Sequence, residues 1–382
     1  MQNGFEISNA KLGRIQYWDV AKGIVMLLVI LGHMPQTPAQ LTQAIYTFHM
    51  PFFFVANAYF IKHYDMKVHV KKSMKSLLVP YVIVCVIEAF CYAIRGNTDV
   101  YYTYDILRIN GEVLSGVDMS FWNIFWDKIA DMFVGISFTS TRFKAFESVW
   151  IVWFLAVLFV AKILYAGIMK LVSVCYEGLG DECKSSMCRR DWTALSLVTI
   201  LSIIGMRIGQ NYAFLPWSLD VAMACLPFMW FGEWLNKKRV LEHKNAKIFY
   251  LLCFVLWLIL SSMGYRGELA LRIYPGDIIW VINAMLGSIV MVGISKGISH
   301  VKNPVADVLA WCGKNSIVIL GIHCIEHRFF DWNAWVYDRI PVDMHWSVLY
   351  FMHAVAIVGS AWIVVECKGR VGLWLAKKPK AA

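Results

Sequence analysis

Charged side chains are sparse in this chain: Asp, Glu, Lys and Arg make up 16% of its 382 residues, against about 25% in an ordinary soluble domain. That shortage, beside an apolar share of 59%, excludes a lone soluble globule, a disordered chain and a collagen-like fibre. Paired C-x-x-C spacings are missing too. Most of the ten cysteines lie in apolar runs, and Cys175, Cys183 and Cys188 share one polar stretch, where they read as reduced bystanders rather than a zinc site. No metal site and no disulfide scaffold is expected. Walker and H-E-x-x-H patterns are absent, so ATP-driven and H-E-x-x-H zincin chemistry have no support. Neither internal repeats nor low-complexity tracts stand out.

What the chain does have is 23 Phe, 17 Trp, 17 Tyr and a series of apolar stretches approaching the ~20 residues that cross hydrocarbon as a helix. The stretches do not alternate apolar with polar, which excludes a transmembrane barrel. The expected fold is all-α, a polytopic membrane protein with about ten transmembrane helices, near 17–34, 44–63, 77–94, 149–170, 193–209, 216–235, 248–264, 277–295, 305–325 and 346–366. The first reads as a retained helix, since no small-residue cleavage site follows it. Segments on the side of the N-terminus carry more than twice as many Lys and Arg as those on the other side, so the positive-inside rule places both termini in the cytoplasm. The net charge of +10 is therefore topological. Its runs, Lys62 to Lys75, Lys237 to Lys247 and Lys368 to Lys380, read as anchors at the bilayer rather than as a nucleic-acid surface. The aromatic stretch Phe121 to Phe138, with Asp127, Lys128 and Asp131 inside it, reads as an interfacial amphipathic helix.

Polar groups inside apolar helices are the functional signal, because a charge in lipid costs several kcal/mol on most scales. In YWDVAKGIVMLLVILGH, Asp19, Lys22 and His33 fall on one helical stripe at 100° per residue, with Asp19 and Lys22 spaced to pair at i, i+3. Fourteen residues of rise separate Asp19 from His33 by about 21 Å. In FHMPFFFVANAYF, His49 and Asn57 flank Pro51, which is tolerated near a helix start. Glu147 and Asp220 sit at the edges of later spans, and CGKNSIVILGIHCIEH carries Lys314, Asn315, Ser316 and His323. Taken singly, each has an ordinary structural explanation. Together they describe a polar cavity with several histidines.

These motifs, in this order, resemble the acyltransferase 3 family of integral-membrane O-acyltransferases over nearly the whole chain. The D-x-x-K/R helix ending in a histidine is Asp19, Lys22 and His33; the second signature is FHMPFFF with His49; weaker matches are WFLAVLF, SLDVAMACLPFMWFGEWLNKK and GKNSIVILGIH. The best subgroup likeness is to fucose 4-O-acetylase-like proteins. The chain departs from the family in carrying Asn57-Ala58 where Ser-Gly is frequent, and Lys22 where arginine is, which keeps the charge but loses the bidentate fork. Residues 1–368 then form the acyltransferase 3 transmembrane domain and 369–382 a basic cytoplasmic tail.

The resemblance implies a multi-pass protein of a bacterial plasma membrane that moves an acyl group, usually acetyl, from cytoplasmic acetyl-CoA to a hydroxyl of a cell-envelope glycan or its lipid-linked precursor. Arg14 and Lys22 would meet the phosphates of acyl-CoA. His33 would act as general base or transient acyl carrier, and His49 would orient the acceptor or stabilise the oxyanion. Asp19, Asn57, Glu147, Asn315, Ser316 and His323 would support the cavity, Asn315 and Ser316 as hydrogen-bond donors. The alternatives are a multi-helix transporter of a small polar or acyl-bearing substrate, which predicts symmetry between halves, and a haem carrier using His33, His49, His323 or His353.

Overall fold

A computed structural model describes residues 15–61, 65–95, 108–109, 112–113, 120–135, 149–177, 189–211, 215–243, 246–301, 303–330, 332, 336 and 339–376. Apart from a two-residue antiparallel pair, Arg108–Ile109 with Glu112–Val113, and one isolated bridge, Glu268 with Ile273, the regular structure among these residues is helical. Each of the ten apolar stretches is helical. They are α1 (Gln16–Gly32), α2 (Ala39–Tyr59), α3 (Met66–Ser73) running through a π turn at Met74–Leu78 into α4 (Val79–Arg95), then α6 (Trp153–Cys175) and α7 (Arg189–Asn211). There follow α8 (Leu219–Ala224) with α9 (Leu226–Lys237), α10 (Ala246–Ser262), α11 (Ile278–His300), α12 (Pro304–Lys314) with α13 (Ser316–Phe329), and α14 (His345–Ala376). Between α4 and α6 lies α5 (Phe121–Val134).

By length and composition, five helical segments can cross a bilayer, and a sixth if α12 and α13 count as one span. The difference from ten has physical causes. Asp19 and Lys22 interrupt the 17-residue α1, α2 is diluted by Gln, Thr, His and Asn, and α10 is short. Two of the expected spans are not continuous helices. The sixth breaks at Cys225, with Pro227 starting α9. The ninth breaks at Asn315, where α12 and α13 meet at 76°. Asn315 ends α12 by turning its backbone N–H to Trp311 and Cys312 and its side-chain amide to the Trp311 carbonyl at 2.9 Å. The last helix runs on to Ala376.

The α5 helix is capped by Ser120, which accepts from the Asn123 N–H, and is stopped by Gly135 in the left-handed region at φ 59°. It buries Ile124, Phe125 and a Lys128–Asp131 pair (3.3 Å) against α4, and leaves Trp122, Trp126 and Phe133 exposed. That amphipathic split is the one expected within 121–138, of which 136–138 lie outside the described residues.

The core is centred on α1, whose buried face carries Trp18, Val25, Met26, Val29 and Ile30. Its tightest neighbour is α12. A Cβ on Gly23 would lie 2.0 Å from the Leu309 carbonyl oxygen, and one on Gly313 would lie 1.8 Å from that of Asp19. The two backbones are thus in direct contact, the approach that small residues permit between membrane helices. α2 packs antiparallel to α1: Trp18 meets Tyr59 and Phe60 at one end, and Gly32 meets Ile45 and Tyr46 at the other.

Candidate active site

A cavity of about 500 Å³ lies along α1 and reaches both ends of the α1–α2 pair. Lys22, Lys314 and Lys368 line one end, from α1, α12 and α14. His33, Tyr46, His49 and Glu268 line it as well, gathered at the opposite end by the antiparallel packing of α1 and α2. The wall between is apolar: Met26, Val29, Phe53, Leu77, Phe154 and Leu158. Lys22 and His33 are eleven residues apart on one helix, a rise of about 16 Å.

At the lysine end, Lys22 Nζ donates to Asp19 Oδ1 at 3.2 Å, the i, i+3 pair that the spacing predicts. Asp19 is buried and Lys22 is half-buried, its ammonium 5.8 Å from the centre of the Phe60 ring. A further cation stands just behind the wall: Lys162 of α6 donates to Asn57 Oδ1 at 3.0 Å. Asn57 therefore belongs to this end of the cavity, not to the histidine end from which its motif starts.

At the other end, both histidines are oriented by the same device. His33 Nδ1 lies 2.8 Å from the Val29 carbonyl, and His49 Nδ1 lies 2.9 Å from that of Ile45, each four residues back. A carbonyl can only accept, so each Nδ1 carries the hydrogen and each Nε2 is the basic nitrogen of the neutral ring. For His33 the carbonyl is within reach because the last turn of α1 tightens, with the His33 backbone N–H turning to Ile30. The rings have further neighbours: His323 of α13, fully buried, meets His33 edge-on at 5.2 Å, and Tyr46 meets His49 at 4.7 Å. Tyr46 also ties the two helices by donating its hydroxyl to the Gly32 carbonyl at 3.1 Å.

Between the ends, the broken span places Asn315, Ser316, Ile317 and Val318 on the cavity wall. Ser316, Ile317 and Val318 begin α13, whose first-turn N–H groups have no intrahelical partner and point out of the helix end.

A family model described as an acyltransferase domain matches residues 15–366. The chain belongs to the acyltransferase 3 family. No curated protein and no solved structure matches it. The matched stretch takes in every described residue lining the cavity except Lys368.

Of the residues singled out from the sequence of this membrane acyltransferase, Lys22, His33, His49, Asn57, Asn315 and Ser316 line one cavity. Asp19 lies beneath Lys22, and His323 stands against His33. Arg14 and Glu147 lie outside the described residues. Asp220 is not at the cavity: it is fully buried in an ion pair with Arg272 (Nε to Oδ2, 2.9 Å). Sequence reasoning passed over Glu268, Tyr46 and Lys368. Glu268 lies beyond the apolar runs that drew attention, Lys368 was read only as the start of a basic anchor, and Tyr46 sits two positions before the run FHMPFFFVANAYF.

Proposed function

We propose that this acyltransferase moves an acetyl group from acetyl-CoA, held at the lysine end of the cavity, to a hydroxyl of a cell-envelope glycan or its lipid-linked precursor admitted at the histidine end. The observation that carries this reading is a single cavity lined by Lys22, Lys314 and Lys368 at one end and by His33 and His49 at the other. Cations favour the phosphates of the donor, and the ~16 Å rise between Lys22 and His33 is comparable to an extended phosphopantetheine arm. The apolar wall between them suits that arm and the acyl group.

His33 serves as the base. Its Nε2 takes the proton of the acceptor hydroxyl as the oxygen attacks the thioester carbonyl carbon, and the Val29 carbonyl holds the ring in the required tautomer. The carbonyl oxygen becomes an oxyanion, for which Ser316 and the first-turn N–H groups of α13 are the donors in reach of the cavity centre. Collapse of the tetrahedral intermediate breaks the C–S bond, and the imidazolium returns the proton to the leaving thiolate. The products are ester and free CoA, with no net proton change. His49 orients the incoming hydroxyl.

With the lysine end facing the cytoplasm, where the positive-inside rule puts both termini, donor and acceptor reach one site from opposite faces of a bacterial plasma membrane. The test supplies acetyl-labelled acetyl-CoA to membranes holding the wild-type chain or His33→Ala and follows label into glycan. A loss of at least about hundredfold is expected; equal incorporation removes His33 from the reaction.

A further inference from the structure

Glu268 is the one carboxylate among the described residues that line the cavity, and the loop carrying it is built to hold it there. The loop connects α10 to α11 and folds back on itself through reciprocal backbone hydrogen bonds between Glu268 and Ile273, 2.9 and 3.0 Å. Its base is fixed by Asn283, which donates to the Tyr265 carbonyl at 2.8 Å. Its far side is fixed by Arg272, which reaches Asp220 through Nε and Ser218 through Nη2, and the Ala270 carbonyl through Nη1. Arg272 adopts the left-handed region at φ 57°, a conformation that persists only when the surroundings over-determine it. Gly267, next to Glu268, lies flat against Trp280, where a Cβ would come within 1.6 Å of the indole nitrogen. A side chain there would lift the loop off the bundle.

The carboxylate has a restricted set of neighbours. Arg266 stands 3.9 Å away in its own loop, with its guanidinium 4.7 Å from the centre of the Tyr46 ring. Tyr46 in turn meets His49. The Glu268 side chain is 17% exposed, on the cavity side. Burial pushes its carboxyl up to about 7, while Arg266 and the Ala270 N–H pull it part of the way back.

We propose that Glu268, with Tyr46 and His49, forms the binding subsite for a neutral polyhydroxylated acceptor, the Glu268 carboxylate accepting hydrogen bonds from hydroxyls adjacent to the one that is acylated. A carboxylate partly neutralised by Arg266 suits hydroxyl donors better than it suits a cationic amine, and the Tyr46 and His49 rings, set edge to face, line the cavity wall with it. The inference rests on the transferase reading above and adds the residue that recognises the acceptor.

The experiment uses the purified full-length chain in proteoliposomes with labelled acetyl-CoA and an envelope glycan fraction as acceptor, each varied in turn, for wild type, Glu268→Gln and Glu268→Asp. Expected is a rise of about tenfold or more in the glycan concentration needed for half-maximal transfer by Glu268→Gln, a partial return in Glu268→Asp, and a half-saturating acetyl-CoA concentration within about twofold of wild type, the loss of one charged hydrogen bond being worth about a factor of ten or more. The carboxylate is the competent form, so the glycan concentration for half-maximal transfer by wild type falls as pH rises through about 7, a fall that Glu268→Gln lacks. Unchanged glycan dependence in Glu268→Gln, or equal shifts for donor and acceptor, overturns the subsite while leaving the transferase intact. No transfer by wild type overturns the transferase reading and the subsite with it.

Discussion

The Asp220–Arg272 and Asp19–Lys22 pairs put the same chemistry in different surroundings. Asp220 and Arg272 are both at 0% exposure and are hydrogen-bonded on several sides, whereas Lys22 keeps 25% exposure on a cavity wall above a buried Asp19. An ion pair sealed from water gains little over an apolar substitute, yet losing one member leaves a charge stranded. A pair with one face on a cavity can shed or share its cation. The first arrangement holds a loop in place, and the second offers a charge to whatever enters.

The largest effect that sharpens this contrast is expected for Arg272→Ala, which strands Asp220 and releases the Glu268 loop. Unfolding in detergent, followed by circular dichroism, should show a loss of about 3–5 kcal/mol, and a loss under 1 kcal/mol would place the two pairs in one class. Next comes Gly313→Ala. Its added methyl meets backbone on α1 rather than a flexible side chain, so the same measurement should show about 1–3 kcal/mol. Smaller in stability than Arg272→Ala is Lys22→Ala, which leaves a buried Asp19 but removes a partner that is itself 25% exposed. Its signature is kinetic: half-saturating acetyl-CoA should rise about tenfold, and Lys22→Arg should retain tight use of the donor because it keeps the charge. A Lys22→Ala chain that unfolds as readily as Arg272→Ala would break the comparison.

The apolar stretches were legible because composition and run length report burial in lipid directly. The stripe of Asp19, Lys22 and His33 was legible because helical geometry is local. The Arg272–Asp220 contact was not, since it joins positions 52 residues apart and nothing in either neighbourhood names the other. Asn315 carried a partial signal. Asparagine directly after Gly-Lys is a poor helix interior, and a reading attentive to that would have cut the ninth span there. The π turn at Met74–Leu78 had its own marker in Pro80, which supplies no N–H to the preceding turn. Glu268 leaves no comparable signal: a polar residue stands out against an apolar run, and a carboxylate in a loop has no such background.

The contact of Gly23 with α12 and of Gly313 with α1 has a mechanical meaning. Two helices whose main chains touch at reciprocal points cannot slide or roll past each other without collision, so Lys22 and Lys314 travel as one rigid jaw. Any widening of the passage at that end falls to the other elements that line it, α2 with Asn57 and α14 with Lys368, and a crosslink between α1 and α12 would change nothing.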